Sequence, residues 1–462
     1  WRFEGVAMRA RMKPAVIAVF LAFLSFGSLA FAARLGAATL NSYPEYLGGP
    51  AHTSYVPTAT AFTTANAKKA HSIWSWTPSG ALNASPIVNA GVIYIGSENG
   101  DFYALNATTG AVKWTKKLTV SNCKNFGIVS SATVAKDPVT GTLTVYIGAA
   151  DHYLYALNAS NGNTIWRTLI GGTGTDYYNW SSPTVVDGYV YYGVATACDF
   201  AGDDGMVALN QHTGAVTGTY YTSGSASVEG ASVYTSAAVA PDGSVFITTG
   251  DDNGASTNDS TAIVKLSKGT LTRLGAYMIP GLVGLNMDFN ASPTLFTMGT
   301  TPMVGACDKD GTFYALTQAS LDSDQTSTAW QIQLGIPPSG NALTFCGGSA
   351  DYDGSHLFIG ADAATTTAPP GSMYELTTSG TVVWETPLNA GPVIGTPSLD
   401  GKGVIAVPIY NSTAGTGAVY LMNAVTGSIL KTISESGPIF AQPVFADGEL
   451  LVAGPGLRAY LP

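Results

Sequence analysis

Charge is what this chain has least of. Only 11% of its 462 residues are Asp, Glu, Lys or Arg, against about 25% in an ordinary soluble domain. That shortage excludes a disordered chain, which needs charge to stay solvated, and a coiled coil or helix bundle, whose surface is built from Glu, Lys and Arg. Bases are the scarcer sign. Twenty Lys plus Arg against 30 Asp plus Glu give a net charge of −10. With no basic stripe a phosphate backbone is repelled, so nucleic acid is not expected as a partner. Cysteine and histidine are few. Cys123, Cys198, Cys307 and Cys346 stand far apart with no C-x-x-C pair, and the five histidines are equally scattered, so no zinc site is spelled out. G-x-S-x-G, a phosphate-binding glycine loop and H-E-x-x-H are also missing.

Glycine and tyrosine are plentiful, 54 and 23 residues. With many Val, Thr and Ile residues they point to short strands joined by tight turns, an all-β chain.

The N-terminus reads as a targeting segment. Met8 is followed by Arg9, Arg11 and Lys13, an apolar stretch from Ala15 to Phe26, and the small-x-small site Ala30-Phe31-Ala32, so cleavage is expected after Ala32. The seven residues before Met8 read as translated upstream sequence. The apolar run is shorter than the ~20 residues of a spanning helix, and no cysteine at the cleavage site offers a lipid anchor. Residues 1–32 are therefore set aside, 33–69 form an N-terminal arm, and 70–462 form one domain. The expected location is secreted, periplasmic or at the cell surface, where disulfides form.

Self-similarity organises the rest. Val92-Ile93-Tyr94-Ile95-Gly96, then Phe102-Tyr103-Ala104-Leu105-Asn106, Gly110 and Trp114, recurs as Val145-Tyr146-Ile147-Gly148, then Leu154-Tyr155-Ala156-Leu157-Asn158, Gly162 and Trp166. Asn106, Asn158 and Asn210 are spaced by 52 residues. A period of ~40–50 residues with four strands per unit is the signature of a propeller blade. Second strands ending near Gly96, Gly148, Gly193, Gly250, Gly305, Gly360, Val407 and Gly454 count eight blades. Small residues precede them, such as Ser85, Ser131, Ser182 and Ser236, as expected of innermost strands crowded at an axis. The eighth unit stops at Pro462 before a fourth strand. Ser72-Ile73-Trp74-Ser75-Trp76 has the alternation to supply it and close the ring, which removes exposed edges.

The segment Phe102-Tyr103-Ala104-Leu105-Asn106-Ala107-Thr108-Thr109-Gly110 with Trp114 resembles the blade motif of the pyrroloquinoline-quinone (PQQ) repeat propellers. Pro50-Ala51-His52-Thr53-Ser54-Tyr55 is similar to the lead-in of polyvinyl-alcohol-dehydrogenase-like proteins. The resemblance implies an eight-bladed fold. In the quinoprotein alcohol dehydrogenases it also implies a calcium, a catalytic Asp, an adjacent Cys-Cys disulfide over the quinone and a Trp beneath it. Asp288 falls at the catalytic Asp, Asp251 at a metal ligand, and Asp199 near another; carboxylate oxygens suit calcium. The departures are Asn122-Cys123-Lys124 with a single cysteine, Phe126-Gly127 in place of Arg-Gly, and Ser236 at the Trp floor. A planar cofactor needs both faces covered. The first expectation is therefore an exported, monomeric, non-catalytic binding or scaffold propeller without cofactor, holding a protein, glycan or polymer on its loop face. The alternative is a PQQ- and calcium-dependent alcohol dehydrogenase with Asp288 as base and Asp199, Asp251 and Asp288 at the metal.

Three acidic clusters, Asp203-Asp204-Gly205, Asp251-Asp252-Asn253-Gly254 and Asp308-Lys309-Asp310-Gly311, read as tight turns. Tyr177, Tyr178 and Trp180 could stack on a sugar or pack at a blade junction. The blade count places all four cysteines on one face, with Cys123–Cys198 and Cys307–Cys346 as neighbour-blade pairs; four cysteines allow three connectivities, and spacing does not choose.

Overall fold

The computed structural model describes residues 42–120, 127–170, 177–178, 180–196, 203–226, 228, 230–251, 259–282, 287–335, 346–361, 371–411 and 414–462, and all that follows refers to these. The targeting segment, Cys123, Cys198 and Asp199 lie outside them.

Eight antiparallel sheets of four strands make an eight-bladed β-propeller, with short extra strands on two of them. In blade 1, Ile87–Asn89, Val92–Gly96, Asp101–Asn106 and Val112–Lys117 pair in that order from the axis outward. The second strands of blades 2 to 8 are Leu143–Gly148, Tyr189–Thr196, Val245–Thr248, Thr301–Cys307, His356–Ala361, Val404–Asn411 and Glu449–Ala453. Second and third strands lie between neighbouring blades and are buried on both faces, which is why they read as unbroken apolar runs. Fourth strands face water on one side and alternate.

The recurrent Asn, Gly and Trp each have a distinct task. Asn106 Oδ1 accepts the Thr109 N–H (3.0 Å), and Asn158 and Asn210 do the same for Ser160 (2.9 Å) and Thr213 (2.9 Å), so each Asn folds the turn to the fourth strand. The glycine that follows has φ near +70°, and the Trp of the preceding blade lies on it. A Cβ on Gly162 would stand 2.7 Å from the Trp114 ring, and one on Gly214 equally close to Trp166. Trp114 Nε1 also donates to the Ala159 carbonyl at 3.0 Å, so one indole both packs and bonds across each junction.

His71–Trp76 pairs with the last strand, Leu457–Leu461. The N-terminal side of the domain thus supplies the fourth strand of blade 8, as the sequence predicts. Trp74 lies on Gly110 at the same 2.7 Å, so the seam repeats the packing of the other junctions.

Around the axis the small residues form a nearly continuous hydrogen-bonded ring, with six neighbouring pairs of blades linked among the described residues. The Ser85 N–H donates to Ser131 Oγ (2.9 Å), Ser131 to Ser182 (3.0 Å), Ser182 to Ser236 (2.8 Å) and Ser236 to Ser292 (2.9 Å). Ser349 donates to Thr396 Oγ1 (3.0 Å) and Gln442 to Ser85 Oγ (3.0 Å). Crowding explains small residues; the hydroxyl is needed because each innermost strand would otherwise bury an unpaired N–H. Ser131→Ala is accordingly expected to cost about 1–3 kcal/mol, measured by denaturant unfolding, with Ser131→Thr milder than Ala; an Ala variant of wild-type stability would remove the ring from the account.

The arm was legible in sequence only as a segment of 33–69, and its course is new. It circles the other end of the axis, bonding the innermost strands in turn. Tyr43 exchanges two backbone bonds with Val88, the Pro44 carbonyl takes the Val134 N–H, and Glu45 Oε1 takes that of Val185. The Pro50, Ala51, Thr53 and Ser54 carbonyls then accept from Val239, Leu295, Tyr352 and Leu399. Tyr55–Val56 adds a parallel strand beside Ser398–Asp400, and Phe62 packs edge-on against Phe445 of blade 8 at 5.5 Å. The arm thus covers one end of the channel.

Candidate functional site

Innermost strands run from the hydroxyl ring toward the arm. The described residues that lead into them, and those between second and third strands, therefore gather at the mouth opposite the arm. Asp288 lies there, ahead of Ser292. Its Oδ1 accepts the Asp251 N–H at 2.5 Å, and its Oδ2 forms an ion pair with Lys309, whose N–H also bonds the Asp288 carbonyl at 3.1 Å. Both side chains are 13% exposed. Phe289, fully buried, fixes the segment by donating its N–H to the Thr249 carbonyl (3.3 Å) and packing edge-on against Tyr314 at 5.8 Å.

Acid surrounds this pair. Asp308, fully buried in the turn after Thr301–Cys307, accepts the Asp310 N–H at 2.9 Å through Oδ1, while its Oδ2 has no hydrogen-bond partner among the described residues. Burial, and then the charges of Asp310 and Asp288, push its carboxyl well above the usual range. Tyr234 is partly buried near the same group, and desolvation followed by the Asp288 and Asp308 charges pushes its hydroxyl up. Trp180 meets Tyr234 edge-on at 5.9 Å and is partly exposed at 36%.

Asp251 and Asp288 are thus brought together, but through the Asp251 backbone N–H. Asp199 lies outside the described residues, and among these no three His, Cys, Asp or Glu side chains group as metal ligands. A cation on Asp288 would have to displace the Lys309 ammonium. Ser236, at the position of the expected quinone floor, is a link in the hydroxyl ring and presents no planar face.

The acidic cluster at 308–311 is a turn, as expected: Gly311 has φ +85°, and Asp310 accepts from Thr312 N–H (2.7 Å) and Tyr314 Oη–H (2.6 Å). Only Asp251 of its cluster is described. Asp204 Oδ1 accepts from Ser232 Oγ at 2.8 Å. Cys307 and Cys346 form a disulfide between the end of the blade 5 second strand and the approach to blade 6. The partner pair Cys123–Cys198 lies outside the described residues, as do the side chains of Tyr177 and Tyr178.

Sequence reasoning missed Lys309 and Tyr234. Lys309 looked like one charge in a turn, although it follows the second strand of blade 5 by two residues, much as Asp251 follows that of blade 4 by three. Tyr234 carried no signal beyond its closeness to Ser236.

A closed ring of eight four-stranded sheets, with the Tyr-Ala-Leu-Asn, Gly and Trp devices at its junctions, defines the class: a repeat propeller of quinoprotein-dehydrogenase architecture. The chain is similar to the PQQ-like β-propellers in its blade repeat and in its fold. A family profile described as outer membrane protein assembly factor BamB matches residues 40–257. The BamB of Moranella endobia (strain PCIT) is 33% identical over 124 residues, 26% of this chain and 30% of that protein. Tetrathionate hydrolase of Acidithiobacillus ferrooxidans is 29% identical over 124 residues, 27% of this chain and 23% of that protein. The chain spans less than a third of the length of these two curated relatives. Among solved structures, quinohemoprotein alcohol dehydrogenase from Comamonas testosteroni superposes with a TM-score of 0.69 at 16% identity, over 91% of this chain and 80% of that one; this likeness concerns the fold. No helix among the described residues is long and apolar enough to cross a membrane.

Proposed function

We propose that this chain is an exported, non-catalytic binding propeller that holds a protein partner on the loop face at the mouth of the channel opposite the arm and takes no quinone. The observation that carries this reading is the engagement of Asp288: one oxygen by the Asp251 N–H, the other by Lys309. A general base must be free to take a proton from substrate, and a quinone needs a planar floor where Ser236 stands. The relatives named as assembly factors support a protein partner over a glycan or polymer. Export rests on the Met8 to Ala32 pattern, and a monomer on the closed ring, which leaves no blade without its four strands.

A PQQ- and calcium-dependent alcohol dehydrogenase is the second reading, favoured by the meeting of Asp251 and Asp288 at the mouth. The test is a titration of the purified chain with PQQ and Ca²⁺, followed by alcohol-dependent dye reduction. The expected result is no saturable binding and no turnover. Dye reduction that disappears in Asp288→Ala would overturn the binding reading and establish the enzyme.

A further inference from the structure

The axis carries another polar site, between the hydroxyl ring and the arm. Two residues beyond the ring position, on the same face of the innermost strand, blades 2, 3 and 5 have Thr133, Thr184 and Thr294. Each hydroxyl donates to a carbonyl of the next blade: Pro183 (2.6 Å), Ala237 (2.6 Å) and Ala350 (3.0 Å). Blades 6 and 7 place Asp351 and Ser398 there. Both are 0% exposed. Neither oxygen of the Asp351 carboxylate, nor Ser398 Oγ, has a hydrogen-bond partner among the described residues. The carbonyl that the pattern offers Asp351 is that of Pro397, which already accepts Gln442 Nε2–H at 2.7 Å, and an ionised carboxylate has no proton to give.

The arm closes over these two side chains. Tyr352 N–H donates to the Thr53 carbonyl (2.8 Å) and Leu399 N–H to that of Ser54 (3.2 Å), so the residues next to Asp351 and Ser398 grip consecutive arm residues. Ser54, itself 0% exposed, accepts from Gln442 Nε2–H at 2.9 Å, and Gln442 Oε1 accepts from Tyr43 at 2.7 Å. The Ser54 hydroxyl lies near enough to Asp351 to oppose, in part, the larger upward push of burial on its carboxyl.

Unpartnered buried polar atoms of this kind call for a bound species. All the side-chain groups offered are oxygens, the donor type of hard cations. With one carboxylate, a singly charged ion leaves the site neutral, whereas a dication would leave a net charge buried at high cost. We propose that Asp351, Ser398 and Ser54 hold one monovalent cation, of the sodium or potassium class, on the propeller axis. It ties the arm to blades 6 and 7.

The full chain is to be melted near pH 8 at constant ionic strength in sodium, potassium or tetramethylammonium chloride. The midpoint should be higher in sodium or potassium, saturate with concentration, and lose this dependence in Asp351→Asn. Equal midpoints in the three salts overturn the proposal, as does a cation-dependent gain that Asp351→Asn retains. Should that variant fail to fold, Ser398→Ala must raise the half-saturating concentration by about tenfold, and an unchanged value overturns the assignment. Equilibrium dialysis against rubidium should count one bound ion per wild-type chain; none bound refutes it.

Discussion

Deletion of His71–Trp76 is expected to unfold the whole ring, not to fray one blade. Among the described residues this strand is the outer partner of Leu457–Leu461, running from His71 opposite Leu461 to Trp76 opposite Leu457 with a register shift between Ser72 and Trp74. Without it the buried Leu457, Ala459 and Tyr460 stand on a bare edge open to pairing with other chains. Two indoles leave with it. Trp74 packs on Gly110, and Trp76 meets Tyr103 edge-on at 4.7 Å, so blades 8 and 1 lose their common surface. Trp74→Ala alone should cost about 3 kcal/mol, the low end for a large aromatic because the ring is only partly buried. A finer outcome distinguishes the seam from the other junctions. Trp114 donates to the Ala159 carbonyl, while Trp74 Nε1 has no hydrogen-bond partner among the described residues. Trp114→Phe loses a bond and Trp74→Phe does not, so the second should be milder by about 1 kcal/mol. Calorimetry checks both. A deletion that melts at the wild-type temperature would show that the ring is not closed by this strand.

How far the sequence led depended on repetition. The Tyr-Ala-Leu-Asn strand, its glycine and its Trp recur because every junction solves the same packing problem, so the blade count and even the closing strand could be read from spacing. The arm follows no repeat and meets the innermost strands mostly through backbone bonds that any residue can make, so it left no periodic mark. His52 and Glu45 look like ordinary polar residues until they are found buried. The candidate site is non-periodic for the same reason. Asp288 was reached through the resemblance, whereas its ion-pair partner Lys309 hid in a turn that Asp310 and Gly311 already explained. Ser236 was read as the loss of an aromatic floor, but the hydroxyl ring gives it a structural task of its own.

Stability should fall on the alkaline side, and Glu45 is one cause beside the buried Asp308 and Asp351, whose carboxyls burial also pushes up. Burial lifts its carboxyl from 4.5 to about 8, against the weaker lowering effect of the Val185 N–H. The folded chain therefore keeps a proton that the unfolded chain releases above pH ~4.5, and stability declines as pH rises toward 8. His52 acts oppositely. Burial lowers its imidazole from 6.5 to about 4, with the bond from Nδ1–H to the Pro293 carbonyl resisting, so its contribution is whole above pH 6.5 and is lost as pH falls to about 4. Between these ordinary values the two slopes oppose each other. Asp400 and Asp447, both raised to about 6 mainly by burial, add to the decline only up to that pH. Above pH 6.5 the His52 compensation is spent, and Glu45 should lower stability by on the order of 1.4 kcal/mol per unit until it ionises. Glu45→Gln keeps an acceptor for Val185 without the titration. Denaturant unfolding at pH 5, 6.5 and 8 should find the variant near wild type at pH 5 and clearly more stable at pH 8. Parallel pH profiles for the two proteins would mean that the arm does not bury this carboxyl, and that the end of the channel it covers is open to water.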